Sequence, residues 1–134
     1  MSQMIILDTH IWFWFINQEF KRFPDHWREL IETTPDVAVS CVSCFEIALA
    51  YQKNRINLPC SPSQWFTASL KPVDIQLLPL TPEIANLAVN LSPVHKDPFD
   101  RIIIATVIEY QAKLASVDSL FSQYIELDKH FLQK

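Results

Sequence analysis

The feature that most constrains the fold of this chain is its alternation of short apolar or β-branched runs with longer segments of helical character. Because most neighbouring runs are separated by a helix, and such long crossovers join parallel strands, the pattern predicts a parallel sheet wrapped by helices. Strands are predicted at residues 4–7, 37–40, 75–80, 114–117 and 124–128. Helices are predicted at residues 11–17, 25–33, 43–54, 63–70, 82–91 and 98–111.

Length and composition predict a single domain. The chain has 134 residues, of which 49% are hydrophobic and 12% aromatic, and this is enough apolar material for one core but not for two. Neither a repeat nor a low-complexity linker interrupts the alternation. We therefore expect one domain that spans residues 1–134.

The composition also excludes several classes of protein. The chain contains no glycine, so it cannot build the glycine-rich loops that cradle phosphates in P-loop and dinucleotide-binding proteins. A formal charge of −4 gives no general attraction for nucleic acid, and binding to a polyanion would need a local basic patch or bound cations. No run reaches the roughly 18 apolar residues of a membrane helix. The N-terminus lacks the pattern of a secretory signal, so we expect a cytoplasmic protein without a membrane anchor.

Three cysteines form no even disulfide framework, which agrees with a reducing compartment. Cys41 and Cys44 have the spacing of a zinc or redox pair, but only Cys60 and four scattered histidines are available to complete a site. Two small buried thiols at a junction of strand and helix are the better interpretation.

Four carboxylates fall where a parallel sheet would bring them together. Asp8 and Asp118 end predicted strands, Glu46 lies in the first turn after the second strand, and Asp100 lies in the first turn of the helix before the strand that Asp118 ends. Ligands of open α/β sheets bind beyond the carboxyl ends of the strands. The four acids are therefore expected to converge on one cleft.

Each acid also has a purely structural interpretation. Asp8 can cap a helix that starts near Ile11, and Asp118 can cap a short helix at residues 119–124. In the stretch from His95 to Gln111, Asp97 serves as N-cap, and Asp100 is favoured by the helix dipole. Glu46 falls three residues after Ser43, as in a capping box.

Taken together, however, independent caps have no reason to gather at one end of a sheet. Clustered carboxylates repel one another unless a cation neutralises them, and oxygen ligands select Mg²⁺ or Mn²⁺ over zinc. Such an ion activates water and stabilises charge on phosphate, so hydrolysis of a phosphodiester is the chemistry that the pattern predicts.

In sequence order the motifs resemble the PIN domain and, more narrowly, VapC-type toxins of bacterial toxin–antitoxin pairs. The resemblance covers nearly the whole chain. It is carried by Leu7-Asp8-Thr9-His10, by Ser43-x-x-Glu46-Ile47, by the run His95-Lys96-Asp97-Pro98-Phe99-Asp100-Arg101, and by Ser116-x-Asp118.

The resemblance implies a PIN-like three-layer α/β/α sandwich with a central, mostly parallel sheet of four to five strands. It also implies a Mg²⁺- or Mn²⁺-dependent ribonuclease, a cognate antitoxin that inhibits it by occupying the active-site groove, and a homodimer. The catalytic and metal-binding residues would be Asp8, Glu46, Asp100 and Asp118. Thr9 and Ser116 would orient these carboxylates and waters.

Lys53, Arg55, Lys96 and Arg101 are candidate RNA contacts, because all four fall near the predicted acidic edge, although for any single one of them a solvated surface charge is the simpler interpretation. The chain departs from the family pattern around this region. A glycine-containing turn usually follows the helix that carries the glutamate, and Ala50 stands where a basic residue is common. Lys53, two turns after the glutamate, can partly substitute.

Two further alternatives concern function. A catalytically silent PIN-like module that only binds RNA or protein would have lost at least one acid, and none is lost here. A phosphotransfer enzyme of the haloacid dehalogenase type needs a second aspartate two residues after the first, where this chain has His10. The consecutive rings at residues 12–15 cannot all face one core, so we expect at least one to be exposed, either as a stray ring or as a dimer or antitoxin contact.

Overall fold

The computed structural model describes residues 3–134. Its centre is a four-stranded sheet in which the strands lie in the order β3-β2-β1-β4 and every pair is parallel. The predicted parallel sheet is confirmed, with four strands. The strands are β1 (Ile5–Leu7), β2 (Val37–Ser40), β3 (Ile75–Leu78) and β4 (Lys113–Ala115).

All six predicted helices are present, with ends that differ by a few residues from the sequence-based bounds. Asp97 caps α6 as predicted, since its side chain accepts a hydrogen bond from the Phe99 backbone N–H at 2.9 Å. Thr81 likewise caps α5. The helices are α1 (Thr9–Ile16), α2 (Asp25–Thr33), α3 (Cys41–Gln52), α4 (Pro62–Ala68), α5 (Pro82–Val89) and α6 (Pro98–Glu109).

The two faces of the sheet bury separate hydrophobic clusters, which gives the predicted three layers. Alternate residues of a strand point to opposite faces. Accordingly, Leu7 and Val39 pack into a cluster with Trp12, Trp27 and Trp65, whereas their neighbours in the strands enter the other cluster. That second cluster is formed by Ile6, Ala38 and Leu114 with Ile103, Ile104 and Tyr124.

The strand predicted at residues 124–128 does not exist. These residues follow a first 3₁₀ turn (Ser119–Gln123) and form a second one (Ile125–Leu127). Tyr124 and Leu127 are fully buried while Ile125 is 71% exposed. Burial at a spacing of three residues fits the 3₁₀ geometry, whereas a strand would have buried every second residue.

The start of α3 also differs from the prediction. Ser40, the last residue of β2, caps the helix by accepting a hydrogen bond from the Val42 N–H at 3.3 Å. Ser43 therefore lies inside the helix, where it is fully buried, and Glu46 lies in the second turn. The capping-box interpretation of Glu46 is wrong, because the strand runs into the helix without an intervening loop.

The rings at residues 12–15 leave no fully exposed anchor, which contradicts the predicted exposed ring. Trp12 is fully buried and packs against Trp65, with ring centroids 5.0 Å apart. The other three rings are partly buried. Phe15, for example, contacts Phe20 at 6.1 Å between centroids. The turn at Phe20–Arg22 and helix α4 thus cover the rings that α1 cannot turn toward the sheet.

Cys41 and Cys44 lie in the first turn of α3, and all three cysteines are free. Burial, with a smaller contribution from Cys41, raises the pKa of the Cys44 thiol to about 11. A thiol that stays protonated at neutral pH is a poor metal ligand and a poor nucleophile, which argues against a zinc or redox role for Cys44. Both thiols are half-buried, however, and not buried as predicted. Within residues 3–134, no helix has the length and apolar content needed to cross a bilayer.

Candidate metal centre

The structure brings all four predicted acids to one small cavity at the carboxyl end of the sheet. The cavity has a volume of about 140 Å³. Asp8 enters it from the end of β1, and Asp118 from the segment after β4. Glu46 comes from α3 and Asp100 from the first turn of α6, while Thr9, His10 and Asp97 complete the polar lining.

Asp8 both caps a helix and lines the acidic cavity. Its Oδ1 accepts a hydrogen bond from the Ile11 N–H at 2.8 Å, which caps α1. The side chain is nevertheless only 4% exposed and lines the cavity. Burial raises the pKa of Asp8 to about 6, against the lowering effect of the Ser116 hydroxyl and the Ile11 N–H. Capping therefore does not compete with a place in the acidic cluster.

Glu46 is held by a short chain of hydroxyl groups. The Thr9 hydroxyl donates to Glu46 Oε1 at 2.6 Å and lies 2.8 Å from the Ser43 hydroxyl, which can donate to it in turn. Burial raises the pKa of Glu46 to about 7, although the hydrogen bond from Thr9 lowers it; the charges of Asp100, Asp97 and Asp8 raise it further. Through these repulsions Glu46 shares one electrostatic environment with Asp8, Asp97 and Asp100.

Ser43 is a residue whose role the sequence analysis missed. It was assigned as a helix cap, but it stands three residues before Glu46 in α3 and so lies on the same helix face. That spacing is the signal by which its support of Thr9 and Glu46 is recognisable. Thr9, which is predicted to orient the carboxylates, donates a hydrogen bond to one of them.

Asp100 and Asp118 complete the cavity from the other side. Burial raises the pKa of Asp100, the hydrogen bond from His95 lowers it, and the charge of Asp97 raises it again. Asp118 is exposed, and its Oδ1 accepts from the Leu120 N–H at 2.9 Å, as in the capping interpretation. Ser116 is buried and its hydroxyl accepts from the Asp118 N–H at 3.1 Å, so it touches the backbone of one acid and the side chain of another.

The donor chemistry of the cavity fits a hard divalent cation. It offers carboxylate oxygens whose pKa values are raised because they are buried together, and a cation would relieve that cost. Among residues 3–134, no three acidic, histidine or cysteine side chains stand close enough to enclose an ion directly. Mg²⁺ keeps several waters and commonly binds through one or two carboxylates, and a cavity of about 140 Å³ has room for such waters.

The four predicted RNA contacts are divided between two neighbouring depressions. Lys53 and Arg55 line a cavity of about 450 Å³ that shares Thr9, His10, Glu46 and Asp97 with the acidic cavity. Lys96 is exposed and lines a separate, apolar cavity of about 670 Å³ formed by α5, the start of α6 and the segment between them. Lys53 and Arg55 are thus the cations that open directly toward the acids.

The placement of Arg101 argues against its prediction as an RNA contact. Its guanidinium donates to the backbone carbonyls of five residues at the end of α5 and in the segment that follows. Its Nη1 also lies 3.4 Å from the Tyr124 hydroxyl. A guanidinium with its donors engaged in this way ties the segment to α6 and is not free to bind phosphate. The carbonyls belong to Ala88, Val89, Leu91, Ser92 and His95.

The fold and the site define a class of protein: a three-layer domain with a parallel sheet and an acidic cavity at the carboxyl end of its strands. The family model of the PIN domain matches residues 5–127, and the chain therefore belongs to the PIN-domain family. The chain is also 32% identical over 115 residues to "Ribonuclease VapC22" of Mycobacterium tuberculosis, a match that covers 85% of this chain and 86% of that protein.

Solved structures share the same fold at low sequence identity. VapBC2 from Rickettsia felis, in a crystal structure bound to a DNA fragment from their promoter, aligns with a TM-score of 0.67 at 16% identity; the match covers 92% of this chain and 95% of that one. A toxin–antitoxin complex from Klebsiella pneumoniae aligns with a TM-score of 0.58 at 15% identity, covering 96% of both chains.

Proposed function

We propose that this protein is a divalent-cation-dependent endoribonuclease and the toxin of a toxin–antitoxin pair. The observation that carries the proposal is the convergence of Asp8, Glu46, Asp100 and Asp118, from four separate parts of the chain, on one cavity. The relative at 32% identity is named a ribonuclease, and the structural neighbours are toxin–antitoxin complexes. Both similarities support the same assignment.

In this proposal the four acids hold Mg²⁺ or Mn²⁺, one ion or two, at the carboxyl end of the sheet. When bound, the cation supplies Lewis-acid stabilisation of charge on the phosphate and lowers the pKa of water. Thr9 keeps Glu46 in place through its 2.6 Å hydrogen bond, and Ser116 supports Asp8 and Asp118. These hydroxyls fix the carboxylate orientations on which cation binding depends.

The RNA would lie along the 450 Å³ cavity beside the acids. Lys53 and Arg55 are exposed at its rim and are the proposed phosphate contacts, with Lys96, which lines a different cavity, as a third. Phe13 and Phe99 line the same cavity and offer ring faces on which single-stranded bases can stack. Because the net charge is −4, these local cations and the bound metal must overcome the general repulsion.

The antitoxin partner and the homodimer belong to the same proposal. A segment of the antitoxin would occupy the groove beside the acids and exclude RNA. Light scattering of the purified toxin across a dilution series tests the dimer, and a monomer at all concentrations would remove it from the proposal.

The test of the activity is incubation of purified protein with total RNA, with and without Mn²⁺, followed by mapping of the cut ends. Asp8→Asn and Asp100→Asn should each abolish cleavage while the protein stays folded. Asp74→Asn is the matched control: Asp74 is exposed at the opposite end of the sheet and has φ of 58°, which asparagine tolerates.

Wild type and variants are purified identically, so that a contaminating nuclease would cleave in every preparation. Cleavage that persists in Asp8→Asn would remove that residue from the site. Binding of RNA without cleavage in the wild type would instead favour the catalytically silent module.

A further inference from the structure

A histidine outside the predicted quartet is bonded to one of its acids. His95 Nε2 lies 3.1 Å from Asp100 Oδ2, and the two side chains are 17% and 20% exposed. Asp100 Oδ1 accepts no hydrogen bond from the residues that the structure describes. One carboxylate oxygen is thus fixed by the imidazole while the other stays available to the cavity.

The imidazole is itself held from behind. Its Nδ1 is hydrogen bonded to the hydroxyl of Tyr124, a residue that is fully buried, and the two rings meet edge to face with centroids 5.3 Å apart. Arg101 donates both to the backbone carbonyl of His95, at 3.2 Å, and to the Tyr124 hydroxyl, at 3.4 Å. His95 is therefore held at its backbone carbonyl by Arg101, and its ring is held by Tyr124 through Nδ1 and through the edge-to-face contact.

The chemistry of the donors fixes the direction of this chain of bonds. An ionised carboxylate only accepts hydrogen bonds, so His95 Nε2 carries the proton toward Asp100. In the neutral ring Nδ1 then accepts, and the Tyr124 hydroxyl donates to it while accepting from Arg101. Each group in the series has the partner that its chemistry requires, and the series ends at the acidic cavity.

We propose that His95 is a positioning residue, held by Tyr124 and Arg101, that orients the Asp100 carboxylate for binding of the divalent cation. The proposal rests on the proposed function for its metal and adds a role for three residues outside the quartet. It also gives Arg101 a purpose in place of RNA contact, since its bonds fix the segment that carries His95.

The main experiment measures the Mn²⁺ affinity of the purified protein by electron paramagnetic resonance or calorimetry, without RNA. His95→Ala should weaken Mn²⁺ binding roughly 10- to 100-fold, as loss of an orienting partner does. His95→Gln should recover most of that loss, because the glutamine Nε2 can donate to the same carboxylate. Tyr124→Phe should give a smaller weakening in the same direction.

His130→Gln is the matched control, because the ring of His130 contacts the Ala112 carbonyl just before β4, away from the acidic cavity. It should bind Mn²⁺ as the wild type does. An affinity in His95→Ala within about threefold of wild type, or a His95→Gln variant as weak as His95→Ala, would overturn the positioning role. Thermal melts in EDTA establish that each variant is folded.

A second measurement separates this inference from the proposed function. Nitrogen NMR of metal-free protein at about pH 8 should show His95 as the Nε2–H tautomer, and Tyr124→Phe should populate the Nδ1–H tautomer as well. A wild type in the Nδ1–H form would overturn the series of bonds whether or not metal binds. A wild type that binds no Mn²⁺ but shows the Nε2–H tautomer would overturn the proposed function and leave the orientation of Asp100 by His95 standing.

Discussion

Replacing Asp8 with asparagine should stabilise the metal-free protein, although it should abolish activity. Asp8 is 4% exposed, and burial raises its pKa from 3.8 to about 6. The folded state binds the proton of Asp8 more tightly than the unfolded state does. The contribution of this proton to the free energy of unfolding is therefore fully present below about pH 4 and is lost as the pH rises through about 6. At 1.36 kcal/mol for each pH unit, ionisation of folded Asp8 costs about 3 kcal/mol.

Asparagine avoids that cost, because it is neutral at every pH and its Oδ1 can still accept from the Ile11 N–H. The free energy of unfolding of Asp8→Asn should therefore exceed that of the wild type by about 2–3 kcal/mol at about pH 8, and the difference should vanish near pH 4. Urea denaturation in EDTA at a series of pH values measures both numbers.

Saturating Mn²⁺ supplies the complementary measurement. It should stabilise the wild type more than Asp8→Asn, since only the wild type retains the full set of ligands. Two results in EDTA would refute the argument that a buried, uncompensated carboxylate lies at this position. One is that Asp8→Asn exceeds the wild type in free energy of unfolding by the same amount at about pH 4 and pH 8. The other is that the variant is less stable than the wild type at about pH 8.

Further predictions concern the residues around α6 and the groove. Asp97→Ala should lower the free energy of unfolding of the metal-free protein by about 1 kcal/mol, because it removes an N-cap. Asp100→Ala should lower it by less, because that change also relieves carboxylate repulsion. The reverse order in urea denaturation would exchange the roles of the two residues. Arg101→Lys should lower the free energy of unfolding by about 2–4 kcal/mol, since the lysine ammonium cannot donate hydrogen bonds to all five backbone carbonyls that the guanidinium contacts. An unchanged free energy of unfolding in urea would contradict that role. Lys53→Ala should weaken RNA binding by a similar factor for all sequences and should reduce the salt dependence of binding. Filter binding can measure both effects when Lys53→Ala is introduced into the inactive Asp8→Asn protein. An unchanged affinity would place the RNA elsewhere.

The sequence predicted the sheet and helices well where one periodicity dominated. The β-branched run of β2 favours a strand and the buried stretch of α6 favours a helix. The pair Asp97-Pro98 marks the start of that helix. Prediction failed where two conformations satisfy the same local preferences. Ser40 and Ser43 are both good caps, and only the direct passage from β2 into α3 selects the first.

The C-terminal strand failed for a related reason. Tyr124 and Ile125 favour a strand by type, but Tyr124 and Leu127 both pack in the cluster beneath α6. A 3₁₀ turn presents residues three apart to that cluster, whereas a strand does not. Tertiary packing therefore overrode local propensity, and no count of residue types in the segment would have revealed it.

The site shows the same division between local and long-range information. Each of the four acids was recognisable from its place after a strand or at the start of a helix. Thr9 and Ser116 were expected as orienting groups only through the resemblance to a family, whereas Ser43 and His95 were not recognised, because their bonds join distant parts of the chain: Ser43 with Thr9, and His95 with Tyr124. A hydroxyl or an imidazole leaves no periodic signal that would point to a partner 29 or 34 residues away.

Capping a helix and lining the acidic cavity are compatible for one carboxylate, and this affects how the acids should be tested. One oxygen of Asp8 accepts a hydrogen bond from the Ile11 N–H, and one oxygen of Asp118 accepts from the Leu120 N–H, yet both side chains line the acidic cavity. A helix that begins directly after a strand needs a side-chain acceptor at the carboxyl edge of the sheet, which is also where a cation site forms. Alanine at either position would remove the cap and the proposed metal ligand together. Asparagine keeps an acceptor for the backbone and removes only the charge, so a loss of cleavage in the asparagine variants can be attributed to the carboxylate itself.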